Sequence, residues 1–403
     1  MYSLDEAAEM LEVSVDTIRL WAKKGLVKSR RTSGNHRRFD LEEIRRVKER
    51  GSGANGSGAF KVLEAPANGL SVIELFSGCG GLALGMENAG FATKLLVEID
   101  KSACNTLEVN RPDWPLLRGD IHDFNHERSF DAYQDQVDVV AGGFPCQAFS
   151  YTGKGLGFGD PRGTLFFEYL KVIQAVRPKI ALAENVRGLL RHDDGKTLKT
   201  IVNCLEEAGY RVRYQLVRAQ FLDVPQKRER LLIMGVREDL PLEHRFPEER
   251  DYLVTLRSAL ANVPPSPGQG YTPHKAEVMA MVPEGGYWRD LPLEVQKSYM
   301  GGSFHLGGGK TGMARRMSWD EPCLTLTCSP AQKQTERAHP SENRPFTVRE
   351  YARIQTFPDS WRFTGSVSQQ YRQIGNAVPV NLGYHIGQSI AAMLLPAEAS
   401  AVA

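Results

Sequence analysis

Between Leu70 and Val236 the chain alternates short, nearly all-apolar runs with segments of helical spacing. The runs are SVIELF (71–76), KLLVEID (94–100), VDVVAG (137–142), KIALAEN (179–185) and RLLIMGV (230–236). Their length and flanking turn residues predict strands, and the rhythm is that of βαβ units. The expectation is therefore an α/β fold with a doubly wound, mostly parallel sheet. Ligands of such sheets bind at the carboxyl ends of the strands. From about 250 to 340 the rhythm weakens and Gly and Pro rise, as in NVPPSPGQGYTP and GGSFHLGGGKTG. This stretch predicts a separate, irregular domain.

The first 50 residues have a different pattern. SLDEAAEML opens with Ser3 and carries Glu6 three residues on, a capping box that starts a helix. VSVDTIRLWAKKG predicts a second helix, capped by Ser14 or Asp16 and stopped at Gly25. LVKSRRTSGNHRRFD predicts a short hairpin, or wing, turning at Ser33, Gly34 and Asn35, and DLEEIRRVKER a third helix. Together they describe a winged helix-turn-helix over 1–50. GSGANGSG (51–58) predicts a flexible linker extending to 69, natural or a join.

Charge sharpens this division. The net formal charge is +2, but residues 1–50 hold 12 Lys/Arg against 9 Asp/Glu. The remainder holds 38 against 39 (50 − 12 and 48 − 9). Positions 19 to 38 carry eight basic residues and no acid. A run this dense favours a polyanionic partner over a merely solvated face. No stretch of 18 apolar residues exists and the N-terminus lacks an apolar signal core, so no membrane span or secretory signal is expected. Six cysteines (79, 104, 146, 204, 323, 328) show no CxxC spacing. That speaks against zinc and against a disulfide framework, and fits a cytoplasmic protein without a metal.

Chemistry gathers where the strands end. SVIELF runs into FSGCGG (76–81), a glycine turn that lets a ligand approach the backbone but does not have dinucleotide spacing. Glu98 closes the second strand, 18 residues after Gly80, where an acid can accept hydrogen bonds from ribose hydroxyls. Asp120, in GDI, could bind an exocyclic amine. These three features describe an adenosyl site, and the absence of any phosphate-binding loop suggests S-adenosylmethionine. The third strand ends in GGFPC, which leaves Cys146 as either a small buried hydrophobe or a nucleophile at the cleft. Glu184 and Asn185 end the next strand; Glu184 could also cap the following helix. Arg228 and Arg230 stand two apart, on one face if extended. GKGLGFGDPRG has five glycines between 153 and 163, suited to a mobile lid or a surface loop.

Two resemblances are carried by these residues. YSLDEAAEMLEVSVDTIRLWAKKGLVKSRRTSGNHRRFDLEEI resembles the winged helix-turn-helix of MerR-type regulators and excisionase-like proteins. The likeness implies a recognition helix with Thr17, Arg19, Lys23 and Lys24, and a wing with Arg31, His36, Arg37 and Arg38 on DNA. FSGCGG, GGFPCQAFSYTGKGLGF, RGTLFFE, ENVRGLL, QKRERLLIMG, RPFTVREYARIQTFPD and RQIGNAVPVN occur in that order and resemble the motif set of bacterial DNA (cytosine-5) methyltransferases. This likeness covers about 70 to 395 and implies the class I, Rossmann-like methyltransferase fold.

The second resemblance implies roles residue by residue. Cys146 matches the thiolate that adds to cytosine C6, and Glu184 the acid that bonds N3 and the amino group. Arg230 matches a contact to the base carbonyl, and Arg228 a support of the pocket. Phe76, Gly78, Cys79, Gly80 and Gly81 match the methionine-binding turn. Glu98 and Ile99 match ribose and adenine contacts, and Asp120 and Ile121 the adenine pocket. Pro145, Leu165, Asn376 and Val378 match further cofactor contacts. The target base must be flipped out of double-stranded DNA, because C6 is unreachable in the stack. Ser150, Lys310, Arg315 and Arg316 are the expected DNA contacts outside the N-terminal unit. The expected domains are then 1–50, a linker 51–69, a catalytic domain 70–250, a target-recognition domain 251–370 and a segment 371–403 returning to the catalytic domain. A monomer is expected of the catalytic half; no long dimerisation helix is legible after the winged helix. The alternatives are an RNA cytosine-5 methyltransferase of the same fold, and a transcription regulator with an inert methyltransferase half.

Overall fold

The computed structural model describes residues 1–10, 15–23, 27–31, 37–44, 60–145, 165–305 and 311–395; side chains at 9, 16, 17, 20 and 23 are outside that description. The N-terminal part holds helices α1 (Leu4–Met10) and α2 (Val15–Lys23) and strands β1 (Arg30–Arg31) and β2 (Arg37–Arg38). Next come β3 (Ser71–Leu75), α3 (Gly81–Asn88), β4 (Ala92–Glu98), α4 (Lys101–Asn110), β5 (Leu116–Arg118) and α5 (Ile121–His126). They are followed by β6 (Val139–Gly142), α6 (Leu165–Val176), β7 (Ile180–Val186), α7 (Lys196–Glu207), β8 (Tyr210–Arg218), β9 (Gln226–Lys227) and β10 (Glu229–Arg237). The remainder holds α8 (Leu256–Ala259), α9 (Pro273–Ala280), α10 (Leu293–Met300), β11 (Cys323–Leu324), α11 (Val348–Ile354), α12 (Val367–Asn376) and α13 (Val380–Leu394).

The chain divides into two compact units. The larger comprises Val62–Leu222, Arg228–Glu249 and Phe357–Ala403. The smaller comprises Met1–Lys61, Asp223–Lys227 and Arg250–Thr356. The return to the larger unit thus begins at Phe357, earlier than the boundary after 370 expected from sequence. Aromatic packing accounts for the difference: Phe357 stacks near Trp361 and Phe363, and Trp361 near Trp114 of the sheet unit.

The larger unit is built on a seven-stranded sheet in the order β5-β4-β3-β6-β7-β10-β8. Strands β5, β4, β3, β6 and β7 pair in parallel. β10 runs antiparallel to both β7 and β8, so RLLIMGV closes the sheet in the reverse sense. The chain leaves β3 toward β4 on one side and β6 on the other. That reversal opens the crevice at the carboxyl ends where ligands bind in such sheets. On one face Ile73, Leu75, Val140, Ala181 and Ile233 pack against Phe166, Tyr169, Val172 and Ile173 of α6 and Ile201 and Leu205 of α7. On the other face α3 and α13 meet at glycines. A Cβ on Gly85 would stand 2.6 Å from the Cα of Gly383, so no side chain fits there.

Helix starts are fixed locally. Asp100 accepts from the amides of Ser102 and Ala103 to cap α4, and Asp120 from that of His122 to cap α5. In the smaller unit, short elements enclose a core of Val278, Met279, Trp288, Leu291, Met300, Met313 and Ala314. The N-terminal residues have their own core of Ala7, Ala8, Ile18, Val27, Phe39 and Ile44. The capping box read from SLDE is formed: Ser3 N–H donates to Glu6 Oε2 at 2.7 Å and Glu6 N–H to Ser3 Oγ at 3.2 Å. β1 and β2 pair antiparallel, Arg30 opposite Arg38, as a hairpin. The wing turn and most of the third helix lie outside the described residues.

Candidate active site

A single crevice of about 800 Å³ in the larger unit is lined by the ends of β3, β4, β6, β7 and β10 and by α12. Its volume lies within the range of small-molecule sites, about 300–1,000 Å³. Each wall has a local cause. The turn after β3 runs through Phe76 and the glycines 78 and 80, all at positive φ. Gly81 touches α13's approach: a Cβ there would sit 2.2 Å from the Val378 carbonyl oxygen. Phe76, Gly78 and Gly81 line the crevice. Cys79 does not line it; it is fully buried, with its Sγ 3.4 Å from the Gln373 carbonyl. Gly80 does not line it either, because it packs under Leu107 and Trp361. Those two shape the turn through their backbone, with the Cys79 side chain and the Cβ side of Gly80 packed away from the crevice.

Glu98 at the end of β4 is held by three amides: Gly78 N–H at 2.7 Å on Oε2, Ile99 at 3.0 Å and Asp100 at 2.7 Å on Oε1. Three amide donors fix the orientation of this carboxylate, which lines the crevice. Ile99 is 65% exposed and presents an apolar platform beside it. Asp120 and Ile121 line the neighbouring wall, as do Pro145, Leu165, Asn376 and Val378.

Next to this wall the other chemistry converges. β6 delivers Gly143, Phe144 and Pro145 to the crevice, and Asn185 Nδ2–H donates to the Phe144 carbonyl at 3.1 Å, tying the two strand ends together. Cys146 follows directly but lies outside the described residues, as does 147–164 with Ser150 and the glycine loop. Glu184 Oε1 lies 2.5 Å from Arg230 Nε across the β7–β10 pair. Arg228 is buried, and its guanidinium donates to the carbonyls of Gly375 at 3.1 Å and Ala377 at 3.0 Å. It therefore anchors the segment that carries Asn376.

Three further residues emerge only in the structure. Glu74 of β3 and Arg372 and Gln373 of α12 line the crevice. Arg372 pairs with Asp100 at 2.7 Å. Gln373 Nε2–H donates to Ser102 Oγ at 3.2 Å and the Thr364 carbonyl at 2.9 Å, and its Oε1 accepts from Thr106 at 2.7 Å. Glu74 had a visible signal, an acid inside the apolar run SVIELF. Arg372 and Gln373 open the motif RQIGNAVPVN, but their long-range partners are visible only in the structure.

The expected DNA contacts divide. Arg19 and Arg31 are exposed, and Arg37 and Arg38 half-buried on the hairpin. The side chains of Thr17 and Lys23, and all of Lys24, His36 and Lys310, lie outside the described residues. Arg315 is half-buried, its guanidinium 5.7 Å from the Tyr287 ring centre. Arg316 is corrected: it is 4% exposed and donates to the carbonyls of Val282, His339, Glu342 and Met279 and to Asn343 Oδ1. Its guanidinium is used inside the smaller unit and has no donor left for a phosphate. Among the described residues no His, Cys, Asp or Glu cluster could hold a metal ion, and no helix is long and apolar enough to cross a membrane.

Comparison with known proteins places these features. Residues 70–392 match the C-5 cytosine-specific DNA methylase family, and residues 3–39 the MerR family of regulatory proteins. A Type II methyltransferase of Escherichia coli, M.Eco47II, is 52% identical over 98% of this chain and 96% of its own. M.PspPI of a Psychrobacter strain is 50% identical over the same shares. M.Sau96I of Staphylococcus aureus is 53% identical over 79% of this chain and 75% of its own. The first two alignments leave too few residues unmatched to omit the N-terminal unit. Among solved structures, a prophage-encoded DNA modification methyltransferase of E. coli superposes with a TM-score of 0.59 at 25% identity, over 81% of this chain and 99% of the other. A methyltransferase of Entamoeba histolytica shares the fold at a TM-score of 0.59 and 16% identity, over 82% and 100%. Methyltransferases of this kind draw the methyl group from S-adenosylmethionine. A family match across most of the chain, on a sheet whose strand ends bring Glu184, Arg230 and the glycine turn to one crevice, makes this protein a member of the C-5 cytosine-specific DNA methylase family.

Proposed function

We propose that the protein is a Type II restriction-modification methyltransferase that transfers a methyl group to C5 of a cytosine within a short DNA sequence. The carrying observation is the meeting at one crevice of the residue preceding Cys146, the Glu184–Arg230 pair and the amide-held Glu98.

The crevice fits an adenosyl cofactor. Gly78 and Gly81 leave the backbone open, Glu98 presents a fixed carboxylate for ribose hydroxyls, and Ile99, Asp120 and Ile121 form an apolar wall with one acceptor for an adenine amine. Asn376 and Val378 line it as well, with the Val378 carbonyl packed against Gly81 of the turn. S-adenosylmethionine would supply an electrophilic methyl on a sulfonium there.

The chain's residues then make cytosine a nucleophile. The Cys146 thiolate adds to C6 of the flipped base, and Glu184 bonds N3 and the amino group, drawing electron density as the bond forms. Arg230 holds the base carbonyl and fixes the Glu184 carboxylate. Arg228 positions the Asn376 segment. After transfer, loss of the C5 proton and departure of Cys146 restore the aromatic ring. Target choice resides in the smaller unit's residues 250–356, and Arg315 faces DNA from it. The N-terminal hairpin and helix, with Arg19, Arg31, Arg37 and Arg38, provide a second DNA contact, serving autoregulation or targeting. The site of action is the cytoplasm, on double-stranded DNA.

The test is expression in a host lacking cytosine-5 methylation, beside a Cys146→Ala variant, with bisulfite sequencing of host DNA. Protected cytosines within one motif, absent from the variant, are expected. No protection from either protein overturns the reading.

A further inference from the structure

Among the described residues, Glu74 is an acid of the crevice that is buried with one carboxyl oxygen unpartnered. It is 4% exposed, in the middle of the sheet, and lines the cavity. One carboxyl oxygen is near the Ala83 amide at the start of α3; Oε2 has no hydrogen-bond partner. Of the other charged groups of the crevice, Asp120 is exposed and caps α5 through one oxygen, and the rest have close polar partners. Arg372 pairs with Asp100, Arg230 with Glu184, and Arg228 donates to two carbonyls. Glu98 is satisfied by three amides. The charged groups that act on Glu74 are Glu98 from β4 and Glu184 from β7, both acids, and the nearby Cys79 thiol is kept protonated by its burial. Burial, then these two acids, push the Glu74 carboxyl well above the ordinary carboxylate range.

Position says what would answer this charge. In the sheet order, β3 stands between β4, which carries the ribose acid Glu98, and β6 and β7, which carry Pro145 and Glu184 at the reacting side. In S-adenosylmethionine the sulfur is bonded both to the ribose 5′ carbon and to the transferred methyl. The part of the cofactor that spans from Glu98 to the target base is therefore its sulfonium. We propose that Glu74 is the residue that reads the sulfonium charge, ionising when the donor binds and taking its proton back in the demethylated product complex. The proposal rests on the cofactor reading given above.

The linkage has a fixed sign. In the free enzyme burial favours the neutral acid form of Glu74. Donor binding places a fixed positive charge beside it, and the carboxyl proton leaves to the buffer. Methyl transfer converts the sulfonium to a neutral thioether, and the carboxylate recovers a proton from solvent. Donor affinity then rises with pH, up to tenfold per unit while Glu74 is neutral in the free enzyme, whereas product affinity does not. Charge matching favours donor over product.

The test is isothermal titration of the full chain with S-adenosylmethionine and with S-adenosylhomocysteine, each in two buffers of different ionisation enthalpy. Wild type should release up to one proton with the donor and none with the product. Release should persist in Cys146→Ala, which excludes the thiol as its source. Glu74→Gln should abolish the release and reduce the donor-to-product affinity ratio by about tenfold or more. Equal release with both ligands overturns the proposal, since the amino group is common to both. Release unchanged in Glu74→Gln overturns it as well. If Glu74→Gln does not fold, the wild-type donor and product arms decide alone. Failure of wild type to bind either ligand refutes instead the cofactor reading beneath it.

Discussion

Glu184 and Arg230 face each other across the β7–β10 pair, Oε1 to Nε at 2.5 Å, with both side chains about one-tenth exposed. The antiparallel closure of the sheet makes this possible. It brings an acid near the end of one strand diagonally across from a base at the start of another, with Arg230 in register with Val186 and Glu184 with Leu232. Glu184→Gln is expected to reduce methylation of a duplex substrate by roughly 100-fold or more, because the proton-sharing contact to cytosine N3 is weakened. Arg230→Ala should also lower the melting temperature, since an unpaired buried carboxylate costs about 3 kcal/mol. Methylation-rate assays and thermal unfolding check the two; an Arg230→Ala protein as stable as wild type would contradict the buried pair.

Gly81 cannot gain a side chain without moving the C-terminal return. A Cβ would meet the Val378 oxygen at 2.2 Å and the Ala377 Cβ at 3.1 Å, and backbone cannot rotate away. Gly81→Ala is expected to weaken donor binding roughly tenfold, about 1.4 kcal/mol, by pushing Asn376 and Val378 from the crevice. Calorimetric affinity measures it, and an unchanged Kd would show that the contact does not shape the site.

Arg316→Ala is expected to act on stability rather than on DNA affinity alone. Removing the guanidinium strands several buried carbonyls, at about 3 kcal/mol. Scanning calorimetry should show a lowered transition, while donor binding by the larger unit stays within about twofold of wild type, roughly 0.4 kcal/mol. A variant with wild-type stability and weakened DNA binding would return Arg316 to the DNA-facing set.

His244 is half-buried with Nε2 2.9 Å from the Arg211 carbonyl and 3.2 Å from that of Met234. Burial lowers its pKa, outweighing the two carbonyls that raise it. The neutral form is favoured in the folded state, so its contribution is present above the unfolded value of about 6.5 and lost as pH falls through the folded one. Stability should decline as pH drops from about 6.5 toward 5. Denaturant midpoints for wild type and His244→Gln across that window test it, the variant showing the shallower slope.

Deleting residues 1–59 should leave methylation of short duplexes largely intact. The sheet unit begins at Val62, and the N-terminal residues carry their own core. Weakened binding to long DNA at moderate salt is expected from loss of the basic hairpin. Loss of all turnover in a folded deletion protein would refute the modular reading.

Much of this was legible because it is local. SVIELF and KLLVEID are strands by their apolar runs alone, and Ser3 with Glu6 specifies a helix start within four residues. The crevice could be placed because strand ends are consecutive in sequence with the turns that line it: Glu98 ends β4, Glu184 lies near the end of β7, and FSGCGG follows β3. Position along the chain does not distinguish a lining residue from a buried neighbour. Cys79 and Gly80 sit inside the turn yet face away, because α4 and the C-terminal return cover them.

By itself, then, the sequence determined the elements, their order and the set of residues offered at the strand ends. These follow from side-chain periodicity and turn chemistry within a few residues. Only the tertiary structure decided how each polar side chain's bonding is completed. Arg316 turns inward onto carbonyls contributed by several separate segments, Arg228 reaches the segment around Asn376, and Glu74 is left with one buried oxygen unpartnered. A buried charge is settled by whatever long-range neighbours packing supplies, and those neighbours lie tens to hundreds of positions away along the chain.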